Sequence, residues 1–299
     1  ALDTHFDRFD SEALTRIEIG THHEEQHQEL LLTDVKHGFA QNPLYPAYRR
    51  QAVEVDVREA PAHTWVEHPG GVARIGVTED VFHFDNEGPS HRVFLEPFAL
   101  GSRLITVGEY EDFIADGGYQ RAELWLSDAW HLVQTEGWSR PLYWLDDGQH
   151  FTLDGVRARN PHAAVTHISY YEAEAYANWT GYRLAPEYDW EVIAKTLPVE
   201  GNFVDSQRLH PGVASAQGGL QQMFGDVWEW TKSAYASYPA FRAPPGAIGE
   251  YNGKFMCNQM VLRGGSCASS QDHVRATYRN FFPPWARWQF SGIRLARDL

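Results

Sequence analysis

The stretch His22-His23-Glu24-Glu25-Gln26-His27-Gln28-Glu29 gathers three imidazoles and three carboxylates within eight positions. His23 and His27 are four residues apart, so on a helix they share one face with Cβ atoms about 5–6 Å apart. Two imidazoles so placed can chelate one transition metal, and the helical repeat makes the pair rigid, which suits a catalytic ion with open positions. His22 points about 100° away and is not read as a ligand. Gln26 precedes a candidate ligand by one residue and is placed to reach a molecule bound beside the metal. Two other readings stay open. The residues also make a polar, histidine-rich helix face that binds nothing. They also match the H-E-x-x-H pattern of zinc hydrolases, with Glu24 as general base. That site needs a third ligand, and neither His37 nor His5 is well placed to supply it.

A helix over residues 11–37 must position this pair. Asp10 or Ser11 is a suitable N-cap, no proline interrupts the run, and Gly38 followed by Pro43 and Pro46 reads as its end. Gly20 is its weak point. Leu14, Ile17, Leu30, Leu31 and Val35 form an apolar stripe near helical spacing. One helix cannot bury such a stripe alone. Partner helices, and with them a third metal ligand, are therefore expected in sequence preceding this chain. From about residue 63 the texture changes. Short β-like pieces at 81–84, 91–100 and 260–265 alternate with turns. Helices are expected at Thr106–Ala115, at Ser169–Trp179 behind a capping box, and at Pro186–Lys195. There is no repeat of fixed period, and the class reads as α+β with much irregular structure.

The 299 residues carry a formal net charge of −15, which argues against nucleic acid or an anionic membrane as partner. No run of about 18 apolar residues is present. The polar, acidic opening stretch does not read as a signal peptide. Cys257 and Cys267 are too few for a disulfide framework, fit a reducing cytoplasm, and are expected as small buried hydrophobes. Eleven Trp, 14 Tyr and 16 Phe suggest a loop-rich domain held together by large rings, which can also cage a cationic ligand.

The residues His23 to Asp34 resemble the metal-binding helix of the DinB-like bundle in ergothioneine-biosynthesis sulfoxide synthases, the hercynine oxygenases. The second part resembles the formylglycine-generating-enzyme, or sulfatase-modifying-factor, domain, which has a C-type-lectin-like fold. Five stretches carry this in the expected order: Phe84–His91, Arg183–Glu191, Gly225–Thr231, Val261–Ser266 and Gly292–Ala296. The resemblance divides the chain into the C-terminal part of a DinB-like bundle (1–50), a linker (51–62) and the lectin-like domain (63–299). Trp228, Trp230, Glu187 and Glu191 are read as structural residues within it.

The resemblance implies Fe(II) held by three histidines, His23 and His27 among them, with O2 as co-substrate. The reaction would form a C–S bond between a thiol and the imidazole of Nα-trimethylhistidine, giving a sulfoxide. Asn280 would hold the histidine-derived substrate, with Gln26 as a second polar anchor. Phe281 and Trp285 would surround its trimethylammonium group. Where relatives that use γ-glutamylcysteine have Asp, this chain has Phe282, which points to free cysteine. Tyr251 lies near the segment where some members place an active-site tyrosine; a packed core tyrosine is the alternative. The cysteine pair of a copper-thiolate site is missing. Related ovothiol or selenoneine synthases, and a non-catalytic lectin-like binding module, remain the alternative functions.

Overall fold

The structure is a computed structural model that describes residues 9–49, 56–78 and 81–299. Helix α1 spans Ser11–Ala40, and the Asp10 carboxylate caps it by accepting the Ala13 N–H at 2.8 Å. It continues unbroken through Gly20, and it passes Gly38 to end at Gln41, two residues before Pro43. A glycine ends a helix only where the backbone turns left-handed, and Gly38 stays helical.

The larger part begins with β1 (Trp65–His68), β2 (Gly71–Ile75), β3 (His91–Leu95) and β4 (Phe98–Gly101). Then come α2 (Val107–Ala115), α3 (Ser127–Glu136), β5 (Gln149–Thr152) and β6 (Gly155–Ala158). The order continues with α4 (Tyr170–Thr180), β7 (Arg183–Leu184), α5 (Glu187–Ala194) and β8 (Trp228–Ala234). It closes with β9 (Met260–Arg263), β10 (Asn280–Phe282), β11 (Ser291–Gly292) and β12 (Leu295–Asp298). One sheet has the order β1-β4-β12-β7 and the other β10-β9-β8-β11; β2-β3 and β5-β6 are separate hairpins. Thr106 and Ser169 cap α2 and α4 through reciprocal bonds with Glu109 and Glu172. Residues 81–84, expected as β, are irregular and lead into the short helical turn Asp85–Glu87. Helix α3 was not anticipated, although Gly137 ends it in the left-handed conformation.

Buried ion pairs knit the irregular segments together. Arg263 reaches Glu187 at 2.7 Å and Glu191 at 2.8 Å, and Arg294 reaches Glu229 at 2.9 Å. Removing one partner of such a pair strands a buried charge. At Gly264, φ is +97° and a Cβ would lie 2.7 Å from the Met223 carbonyl oxygen, so only glycine fits. Trp228 and Trp230 are both buried.

Helix α1 docks on this body by a polar face. Glu29, Thr33 and Lys36 are buried, with Leu32 and Val35 packed on a small cluster around Cys267 and Phe290. The expected apolar stripe docks only in part: Val35 packs on the body and Ile17 is half-buried, but Leu14, Leu30 and Leu31 are exposed, Leu31 by 62%. Period alone located a stripe, but the buried carboxylate and amine find specific partners in the body, and those partners set the rotation of the helix.

Candidate metal centre

His23 and His27 project from one face of α1, their ring centroids 4.2 Å apart. They line a cleft of about 470 Å³, together with Gln26, Tyr251, Asn280, Phe281 and Phe282. That size suits a small ligand. Gln26 is held from both ends of its amide. Tyr251 donates its hydroxyl to Gln26 Oε1, and Gln26 Nε2 donates to Tyr278 Oη at 2.6 Å. Burial, and then the charge of Asp85, push Tyr251 up to about 12. Burial likewise raises Tyr278. Both phenols therefore keep their protons at neutral pH. Asn252 Nδ2 donates to Asp85 Oδ1 at 2.7 Å, which secures the loop that carries Tyr251.

Strand β10 supplies the opposite wall. Asn280 Oδ1 accepts the Phe281 N–H at 2.8 Å, which fixes the amide against the backbone. The Phe281 ring stacks on Tyr235, centroids 4.0 Å apart and 9° between planes. Phe282 stands edge-on to Trp288. Trp285, expected in the cleft, is not among its walls: the chain turns after Pro283, and Trp285 lies 48% exposed against Trp288. Cys257, expected buried, is exposed, whereas Cys267 is buried.

Several cleft residues escaped the reading of the sequence. Tyr278 and Phe255 form walls, and Lys254 stands at the rim with Glu250 3.7 Å away. Gln289 is 1% exposed and lines the cleft, and its Oε1 has no partner among the described residues. A buried orphan acceptor asks for a donor from a ligand or water. Nothing local in the sequence marks it, since its neighbours create the burial.

Two imidazoles facing an open cleft fit a divalent ion with vacant positions. Among the described residues, however, three ligand-bearing side chains converge elsewhere, at His22, Glu25 and His273. His22 does point away from the cleft, but toward a partner 251 positions distant. Glu24 is exposed and does not line the cleft, which leaves a zinc hydrolase without its base. His37 is taken by the Tyr143 hydroxyl at 3.0 Å. His5 lies outside the described residues.

The sulfatase-modifying factor enzyme 1-like domain model matches residues 50–217 and 211–299. The hercynine oxygenase of Mycobacterium tuberculosis is 34% identical over 255 residues, covering 76% of this chain and 59% of that protein. That of Mycolicibacterium smegmatis is 34% identical, over 81% of this chain and 63% of its own length. The chain thus spans about three-fifths of the length of these curated relatives. The formylglycine-generating enzyme of Streptomyces coelicolor is 27% identical over 78% of this chain and 88% of its own. Among solved structures, PvdO from Pseudomonas aeruginosa superposes with a TM-score of 0.54 at 17% identity, covering 81% of this chain and all of PvdO. This last likeness concerns the fold alone.

Proposed function

The chain belongs to the sulfatase-modifying factor enzyme 1-like family, and from that premise we propose that it acts in ergothioneine biosynthesis as part of a hercynine oxygenase. The reaction joins a thiol sulfur to the imidazole of Nα-trimethylhistidine as a sulfoxide, with O2 as co-substrate. One observation carries the reading: His23 and His27 open onto the same cleft as Gln26, Tyr251, Asn280, Phe281 and Phe282. The similarity to hercynine oxygenases supports it.

His23 and His27 would hold Fe(II). Bound there, Fe(II) would supply the redox coupling between dioxygen reduction and carbon–sulfur bond formation. The protein's own residues bind and orient. Gln26, clamped between Tyr251 and Tyr278, keeps its amide beside the ligand pair. Asn280 and the orphan acceptor of Gln289 meet the polar atoms of the imidazole substrate. Phe281, with Phe255, presents an aromatic surface to the trimethylammonium group, an attraction of about 2 kcal/mol when water is excluded. Lys254 at the rim takes a substrate carboxylate. Phe282 offers no partner for the ammonium of a γ-glutamyl group, which favours free cysteine as the thiol.

The deciding experiment incubates the protein with Fe(II), air, cysteine and Nα-trimethylhistidine and identifies products by mass spectrometry. A sulfoxide conjugate with matching oxygen uptake is expected. Absence of both in protein that retains Fe(II) would overturn the proposal.

A further inference from the structure

Outside the cleft, on the adjoining face of α1, three ligand atoms close into a triangle. His22 Nδ1 lies 3.0 Å from Glu25 Oε2 and 3.1 Å from His273 Nδ1, and His273 Nδ1 lies 3.3 Å from the same carboxylate oxygen. Neutral imidazoles and an ionised carboxylate satisfy this triangle poorly. If both Nδ1 atoms carry hydrogen, both aim at one carboxylate oxygen and crowd each other. If one does not, its lone pair faces the carboxylate oxygen. A cation at the centre satisfies all three contacts at once. The point equidistant from the three atoms lies about 1.8 Å from each in their plane. A displacement of about 1 Å out of that plane gives about 2.0–2.1 Å, the usual reach of Zn(II) to imidazole nitrogen and carboxylate oxygen.

We propose that His22, Glu25 and His273 form a second divalent transition-metal site, separate from the His23 and His27 pair. Two imidazoles and one carboxylate suit Zn(II), Fe(II) or Co(II). The rings are held in place. His22 stacks on Phe82, centroids 3.8 Å apart, and the buried His273 is bonded through Nε2 to the Tyr278 hydroxyl at 3.0 Å. A metal-bound Nδ1 leaves the His273 ring proton on Nε2, where Tyr278 Oη accepts it, the outer bond that ligating histidines commonly make. The nearby Arg275 cation is offset by its ion pair with Glu87. His22 and Glu25 are half-buried, which leaves an entry route and open positions for water. Occupancy would fix one end of the hydrogen-bonded row Tyr278, Gln26, Tyr251 that borders the cleft.

The test uses the 299-residue chain carrying His27→Ala, which removes the other candidate pair, with Zn(II) and Co(II) as probes. Equilibrium dialysis should find one ion per chain, and Co(II) should show d–d absorption. Adding His273→Gln should return binding to background. Adding Glu25→Gln should weaken it by at least about tenfold with an unchanged circular dichroism spectrum; because Glu25 is only half-buried and Gln keeps its shape, this variant decides the matter if the buried substitution misfolds. No ion bound by the His27→Ala chain, or equal binding after both additions, would overturn the site. Failure of the oxygenase reading shows itself separately, as missing product with this site still filled.

Discussion

The indole Nε1–H of Trp228 donates to the Glu29 carboxylate at 2.7 Å, across 199 positions of sequence. The hydroxyls of Ser266 and Ser269 add two more bonds to the same carboxylate, each 2.8 Å. Glu29 stands two residues beyond His27, so this buried anchor sets both the rotation and the depth at which α1 presents its imidazoles to the cleft.

Trp228→Phe deletes the donor and leaves a smaller buried ring, so a cavity adds to the lost hydrogen bond. A buried carboxylate that loses one of three partners should cost about 1–3 kcal/mol. Urea unfolding should show the loss, and the Fe(II) affinity of the His23 and His27 pair should fall with it. Unchanged stability would mean that Glu29 does not anchor the helix.

His27→Ala turns a two-point grip on the cleft metal into a single contact. An anaerobic Fe(II) titration should show the cleft site lost, with His37→Ala as a control that retains it. Retention by His27→Ala would remove His27 from the ligand set.

Asn280→Ala and Gln289→Leu should each raise KM for Nα-trimethylhistidine about tenfold or more while leaving KM for cysteine nearly unchanged, because an unmet hydrogen bond in a buried site costs roughly 1–3 kcal/mol. Equal effects on both substrates would place these side chains away from the imidazole.

Phe282→Asp puts an anion where a γ-glutamyl ammonium would come. The ratio of kcat/KM for γ-glutamylcysteine over cysteine should rise. A constant ratio would separate position 282 from thiol choice.

Lys36 lies fully buried with its amine 2.6 Å from His167 Nε2, and burial pulls it down to about 7 from an ordinary 10.5. Between these values the unfolded chain binds more protons than the folded one, so this group makes stability rise with pH. Below about pH 7 its penalty is complete. From pH 7 to 9 the gain should be about 2 kcal/mol. Lys36→Met should flatten that part of the urea-stability profile, and parallel profiles for the two proteins would refute the assignment.

The local sequence already determines that His23 and His27 share a helix face and that Asp10, Thr106 and Ser169 start helices. Each of these depends on neighbours a few residues away. The order of the motifs from Phe84 to Ala296 carried the fold, since the same glycines, arginines and tryptophans recur where the body needs them. The tertiary structure alone decided which side of α1 faces inward. Apolar periodicity pointed to a stripe of Leu14, Ile17, Leu30, Leu31 and Val35, of which three stay exposed, because burying Glu29 and Lys36 requires Trp228, Ser266, Ser269 and His167, all distant in sequence. It also brought His273 to His22 and Glu25, closed Tyr278 against Gln26, and left Trp285 and Cys257 outside. Such pairings depend on where the remote chain happens to bury a polar atom, and no local pattern of residues encodes that.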